Sequence, residues 1–178
     1  MIKEKIKIVD NYILEDDAKY FINSMDLNNL SSENSTNFGA KDFKNDIDAF
    51  NLLKKYSKNI KNAIKDFYII NKDLYIFKTM GFKWQDGWSQ HPHIDAQGPG
   101  KSIEWSAVIY LNDNYDGGEI EFPNKSLIYK PKKYSAVFFP GNDEEYLHQV
   151  NTIKNNSRYT LLFLFTANID DANKDFLE

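Results

Sequence analysis

The spacing of hydrophobic positions changes character partway along the chain. Lys5 to Val9 alternates singly and predicts a short strand. From Glu15 the interval lengthens: Ala18, Phe21, Ile22 and Met25 fall three and four apart behind the acidic run Glu15-Asp16-Asp17. That is helical spacing with negative charge at the positive end of the helix dipole. Residues 28–45, rich in Asn and Ser, predict a loop. A second helix starts from a cap at Asn45 or Asp46 and buries a stripe of Phe50, Leu53, Tyr56, Ile60, Ile64 and Phe67. After residue 72 the period shortens. Short runs rich in branched and aromatic residues, 74–80, 103–111, 119–122, 126–130, 135–139 and 158–166, predict strands. Asp116-Gly117-Gly118, Pro131 and Pro140-Gly141 punctuate them. This is the rhythm of an all-β sandwich or barrel. The chain is therefore expected to be mainly β with flanking N-terminal helices. One domain is expected over residues 1–178: a strand and supporting helices over 1–72, a β core over 73–168 and a tail over 169–178.

Composition narrows the chemistry. Of 178 residues 42% are hydrophobic, enough for a substantial core, and the net charge of -4 disfavours a nucleic-acid partner. There is no cysteine, which excludes disulfides, thiolate metal sites and cysteine nucleophiles. Any metal must be held by imidazole and carboxylate. The start alternates charge with isoleucine instead of forming an apolar leader, and the apolar run Tyr159 to Ala167 is too short to span a bilayer. A cytoplasmic protein without a membrane partner is the expectation. The 22 basic residues are 21 lysines and one arginine, Arg158, and there are three histidines, His91, His93 and His148.

Those few residues carry the candidate chemistry. In the segment Gln90-His91-Pro92-His93-Ile94-Asp95, an extended backbone turns His93 and Asp95 to one face. With His148 they make two imidazoles and one carboxylate, the facial set that leaves coordination sites open for iron(II) oxygen chemistry, where a closed structural zinc site would want a fourth protein ligand. An isolated H-x-D is more often a surface pair, so the rest of the pattern matters. Ten residues after His148, Arg158 opens the apolar strand Arg158 to Phe165. Buried there, its planar fork requires an anion, and a carboxylate fits it bidentately.

The ordered set His93-x-Asp95, Tyr110-Leu111-Asn112-Asp113, Gly117-Gly118-Glu119-Ile120-Glu121-Phe122-Pro123, Pro131-Lys132-Lys133, Phe138-Phe139-Pro140-Gly141, His148-Gln149-Val150 and Arg158-Tyr159-Thr160 resembles the iron(II)- and 2-oxoglutarate-dependent oxygenases, in their prolyl-4-hydroxylase-like branch. The resemblance covers residues 74–166. It implies a double-stranded β-helix, a jelly-roll barrel with the metal at one mouth. It also implies Fe(II) on His93, Asp95 and His148, 2-oxoglutarate as cosubstrate with its far carboxylate on Arg158 and Tyr110, and ascorbate as reductant. Ser106, on the same strand face as Tyr110, is expected in the cosubstrate pocket. Trp88, Gln90 and His91 are expected at the substrate rim, and Trp105, on the opposite face from Tyr110, is expected to pack.

The implied reaction is hydroxylation of a substrate C–H, a prolyl residue of a peptide or protein or else a small molecule, with succinate and carbon dioxide as co-products. Three departures stand out. The tyrosine that the family often carries upstream of H-x-D is replaced by Phe82 and Trp84. A glycine usual before the Phe-Phe-Pro segment is Tyr134, and the glycine usual shortly before the arginine is replaced by Asn155-Asn156-Ser157, where asparagine tolerates a left-handed turn. Two other readings compete: a cupin-like metal enzyme using His91, His93 and His148 without 2-oxoglutarate, and a non-catalytic jelly-roll binding module.

Overall fold

The computed structural model describes residues 5–27 and 38–177. In chain order the elements are β1 (Lys7–Val9), α1 (Glu15–Leu27), β2 (Phe38–Lys41), α2 (Ile47–Tyr68), β3 (Tyr75–Trp84), β4 (Gln90–His93), β5 (Ile103–Tyr110), β6 (Asp116–Gly117), β7 (Ile120–Phe122), β8 (Leu127–Tyr129), β9 (Ala136–Pro140), β10 (His148–Val150), β11 (Ile153–Lys154) and β12 (Arg158–Thr166). Both helices form where the period and caps predict them. Asp46 caps α2 by accepting from Ala49 N, and the helix ends in left-handed Ile69. The loop expected over 28–45 is corrected in its second half, because Phe38–Lys41 is a strand paired with β3; residues 28–37 lie outside the described set. A Gly-containing FGAK segment has no alternation to announce it, and its pairing to an edge is decided by tertiary contact.

Two antiparallel sheets face each other: a six-stranded one in the order β1-β9-β5-β12-β3-β2 and a four-stranded one in the order β4-β10-β7-β8, with β11 and β6 forming a small ribbon beside them. This is the mainly β, double-stranded β-helix architecture that the resemblance implies. The long apolar strands owe their composition to the large sheet being covered twice. On one face Ala107, Ile109, Leu161, Phe163 and Phe165 pack against Phe21, Leu53, Ile60 and Ile64 of the two helices. Trp105 belongs to this face, stacked on Tyr68 at 4.2 Å between ring centroids. On the other face Tyr110, Val137 and Phe139 meet Ile120 and Phe122 of the small sheet. Strand β12 runs between both layers, so Arg158, Thr160, Leu162 and Leu164 alternate away from the helix side. Among the described residues no helix is long and apolar enough to cross a membrane.

Candidate metal centre

His93 closes β4 and Asp95 follows it in the connection to β5, while His148 opens β10, the strand that pairs antiparallel with β4. The register sets His148 directly opposite His93. Two segments 55 residues apart in sequence thus bring three ligand atoms, one from each of His93, Asp95 and His148, within 4.8 Å of one another. His93 Nε2 lies 3.7 Å from Asp95 Oδ1, and the two imidazole rings are 4.3 Å apart.

Each ligand is held from behind. His93 Nδ1 faces the His91 carbonyl at 2.9 Å, and His148 Nδ1 faces the Tyr146 carbonyl at 3.2 Å. A carbonyl oxygen accepts only, so both Nδ1 atoms carry the proton and both Nε2 lone pairs are left for the centre. Gln90 Nε2 donates to His93 Nε2 at 3.0 Å, occupying the lone pair a metal takes. Ser106 Oγ donates to Asp95 Oδ2 at 2.5 Å, which leaves Oδ1 toward the histidines. Ser106 is fully buried and lies behind the aspartate, a role that sequence alone did not separate from lining the cosubstrate pocket. The backbone supports the same carboxylate: Ala96 N donates to the Gly141 carbonyl, and Gly141 N to that of Glu104. A Cβ at Gly141 would sit 2.7 Å from Ser106 Oγ, so only glycine lets these segments meet.

Electrostatics suit a metal. Burial against Phe139 and Phe122 pushes the His148 pKa down to about 4, keeping that imidazole neutral near pH 7. Burial also disfavours charge on His93, but the Asp95 carboxylate beside it and the His91 carbonyl outweigh it and its pKa is raised. For Asp95, burial opposes ionisation, yet the adjacent His93 and His148 and the hydrogen bond from Ser106 prevail and its pKa is lowered.

A cavity of about 120 Å³ opens from this centre and reaches Arg158; Phe82, Trp84, Val108, Thr160 and Leu162 complete most of its wall. Arg158 is 3% exposed and has no ion-pair partner among the described residues. Its Nε and the hydroxyls of Tyr110 and Tyr115 are all buried without a hydrogen bond. Tyr110 lies against the guanidinium, 5.0 Å from ring centroid to Cζ. A buried, unpaired donor costs about 1–3 kcal/mol and more when charged, so this cluster is built for an anion that is not part of the protein. Donor set and orphaned guanidinium together fit Fe(II) with a carboxylate-bearing cosubstrate.

The remaining expectations divide. Gln90 lines the cavity. Trp88 stacks on Trp84 at 3.8 Å outside it, supporting the wall from behind. The His91 side chain is exposed, and His91 contributes its carbonyl to His93 instead of an imidazole to the ligand cluster. Tyr115 and Leu162 were not foreseen. Leu162 follows from counting two and four residues along β12 from Arg158, but Tyr115 has no such signal, because a connecting segment carries it.

Residues 80–166 match the model of the 2OG-Fe(II) oxygenase superfamily. No curated protein matches the sequence. Among solved structures, the viral collagen prolyl hydroxylase vCPH from Paramecium Bursaria Chlorella virus-1, as its 2OG complex, superposes with TM-score 0.74 at 16% identity over 93% of this chain and 97% of that one. A prolyl-4-hydroxylase from Pseudomonas putida gives 0.72 at 17% identity over 92% and 93% of the respective chains. HygX from Streptomyces hygroscopicus, with nickel and 2-oxoglutarate bound, gives 0.71 at 10% identity over 93% and 84%.

Proposed function

We propose that this chain, which belongs to the 2OG-Fe(II) oxygenase superfamily over residues 80–166, hydroxylates a prolyl residue in a peptide or protein. The observation that carries the oxygenase reading is Arg158, buried without a carboxylate partner on the wall of the cavity that holds the facial triad. The prolyl substrate is supported more distantly, by the likeness of the fold to prolyl hydroxylases.

In this reading His93, Asp95 and His148 hold Fe(II), and Arg158 with Tyr110 holds the far carboxylate of 2-oxoglutarate. The metal and its cosubstrate, when bound, supply the activation of dioxygen that couples substrate C–H hydroxylation to formation of succinate and carbon dioxide. The protein's own part is positional. Ser106 keeps Asp95 to one coordinating oxygen, and the carbonyls of His91 and Tyr146 fix both imidazoles in the ligating tautomer. Phe139, Val108, Ile120 and Leu162 keep the centre dry. Gln90, at the His93 end of the cavity, is the side chain best placed to meet substrate, with Trp84 as an adjoining apolar wall.

We also read the whole chain as one domain, because β1 and β2 are strands of the same sheet as β5 and β12. A cupin-like site using His91 is disfavoured by that residue's exposure and by the make-up of the ligand cluster, which is His93, Asp95 and His148. The test is succinate formation from 2-oxoglutarate with Fe(II) and ascorbate, with and without a proline-rich peptide. Peptide-stimulated turnover with a mass gain of one oxygen on proline is expected. Stimulation by a free amino acid or other small molecule alone would replace the prolyl substrate, and no succinate under any condition would overturn the oxygenase.

A further inference from the structure

Three polar groups cluster without partners around Arg158, where it forms part of the cavity wall, and the metal centre explains none of them. They are Arg158 Nε and the hydroxyls of Tyr110 and Tyr115, on residues 3%, 0% and 4% exposed. Arg158 and Tyr110 are accounted for by the cosubstrate. Tyr115 is the unassigned member, and it comes from a different segment, the connection between β5 and β6.

That connection is built to hold the ring still. Gly118 passes so close that a Cβ there would lie 2.8 Å from Tyr115 Cε2. Lys130 Nζ sits 4.8 Å above the ring centroid and donates to the Tyr115 carbonyl at 3.2 Å, and it also bonds the Gly117 carbonyl. A tyrosine held between Gly118 and Lys130, with its hydroxyl buried and unbonded, is uncommon unless a ligand meets it. The guanidinium of Arg158 lies close enough for its charge to act on both hydroxyls, though neither completes a hydrogen bond to it. Burial outweighs that charge and pushes the Tyr115 pKa up to about 12, so the group remains a neutral O–H donor. On β3, the strand next to β12, Phe82, paired with Thr160, lines the cavity with a ring that has no hydroxyl.

We propose that Tyr115 donates to the far carboxylate of 2-oxoglutarate as a second tyrosine hydroxyl, supplying from the β5–β6 connection the donor that Phe82 lacks. The inference rests on the oxygenase reading above. A carboxylate offers about four lone-pair sites, so it accepts the arginine fork and two phenols together. Tyr115 thereby sets selectivity for a dicarboxylic 2-oxo acid over a monocarboxylic one.

The experiment is anaerobic calorimetry on the Mn(II)-loaded protein, titrating 2-oxoglutarate and, separately, 2-oxobutyrate, which lacks the far carboxylate. Tyr115→Phe is expected to weaken 2-oxoglutarate binding about tenfold, to leave 2-oxobutyrate and Mn(II) affinities unchanged, and to leave the melting temperature of the ligand-free protein unchanged. Wild-type affinity for 2-oxoglutarate in Tyr115→Phe would overturn the proposal while leaving the oxygenase reading intact. Equal weakening of both acids would also overturn it, by showing a structural effect. Failure of the wild-type protein to bind 2-oxoglutarate at all would overturn the proposal and the reading beneath it together.

Discussion

Arg158 is the residue on which the molecule's economy turns, because it is buried with no anion supplied by the chain. Removing one partner of a buried charge-assisted pair typically costs about 2–5 kcal/mol, so Arg158→Ala should raise the dissociation constant for 2-oxoglutarate by about 30-fold or more. The ligand-free protein should behave oppositely. A well-packed apolar replacement relieves an uncompensated charge, so Arg158→Met is expected to melt at or above the wild-type temperature in calorimetry while losing 2-oxoglutarate binding. A lower melting temperature would mean that Arg158 has a structural partner. At the other end of the cavity, Ser106→Ala frees Asp95 Oδ2, and a fall of about 10- to 100-fold in Fe(II) or Mn(II) affinity is expected from metal titration.

Among the elements, the turns show how this chain keeps the barrel while departing from the family's glycines. Tyr134, where the resemblance leads one to expect glycine, and Asn155, the first residue of the Asn155-Asn156-Ser157 segment that replaces the other one, both have positive φ, 67° and 68°. The backbone demand survives and is met by other means. Tyr134 is locked by its own N–H to the Tyr110 carbonyl and by the N–H groups of Tyr12 and Ile13 on its carbonyl, and its ring packs on the core. Asn155 donates its backbone N–H to the Asp86 carboxylate and its side-chain amide to the Asp116 carboxylate. Asn155→Gly should therefore stay within about 0.5 kcal/mol of wild type in urea unfolding. Asn155→Val, forced into the left-handed region, should lose about 1–2 kcal/mol.

The start of α2 adds a pH dependence. Burial opposes charge on Asp46, but donors from Ser24, Ala49 and Tyr20 outweigh it and lower its pKa below the ordinary 3.8. A carboxylate whose native pKa is depressed stabilises the fold in full above the unfolded value and loses that contribution as pH falls through the native one. Asp46→Asn keeps a capping oxygen without the titration. Its stability curve should run flatter than wild type below about pH 4, whereas Asp46→Ala should lose about 1 kcal/mol at neutral pH.

For the whole molecule, the metal centre is a clasp between segments distant in sequence: His93 and Asp95 after one crossing of the barrel, His148 at the start of another. A ligand that binds only the folded state stabilises it by mass action, about 2.7 kcal/mol at 100 times its dissociation constant. For a chain of 178 residues that is a rise in melting temperature of about 5–10 °C on adding Mn(II), reversed by a chelator. No shift at saturating metal would argue against the triad as a binding site.

How much of this was legible in the chain depends on the range of the forces involved. Both helices, the long strands, the H-x-D pair and the lone arginine were readable, because period, caps and residue type are local properties of sequence. Strand Phe38–Lys41 and the polar strand Gln90–His93 were not announced by alternation, since their pairing comes from neighbours. The same reason separates the site residues. Sequence named His93, Asp95, His148 and Arg158 by their chemistry. Tertiary packing decided that Ser106 serves Asp95, that His91 offers a carbonyl and an exposed ring, and that Tyr115 arrives beside Arg158 from another segment. Residue type fixes what a side chain can donate or accept, and only the folded backbone fixes what it meets.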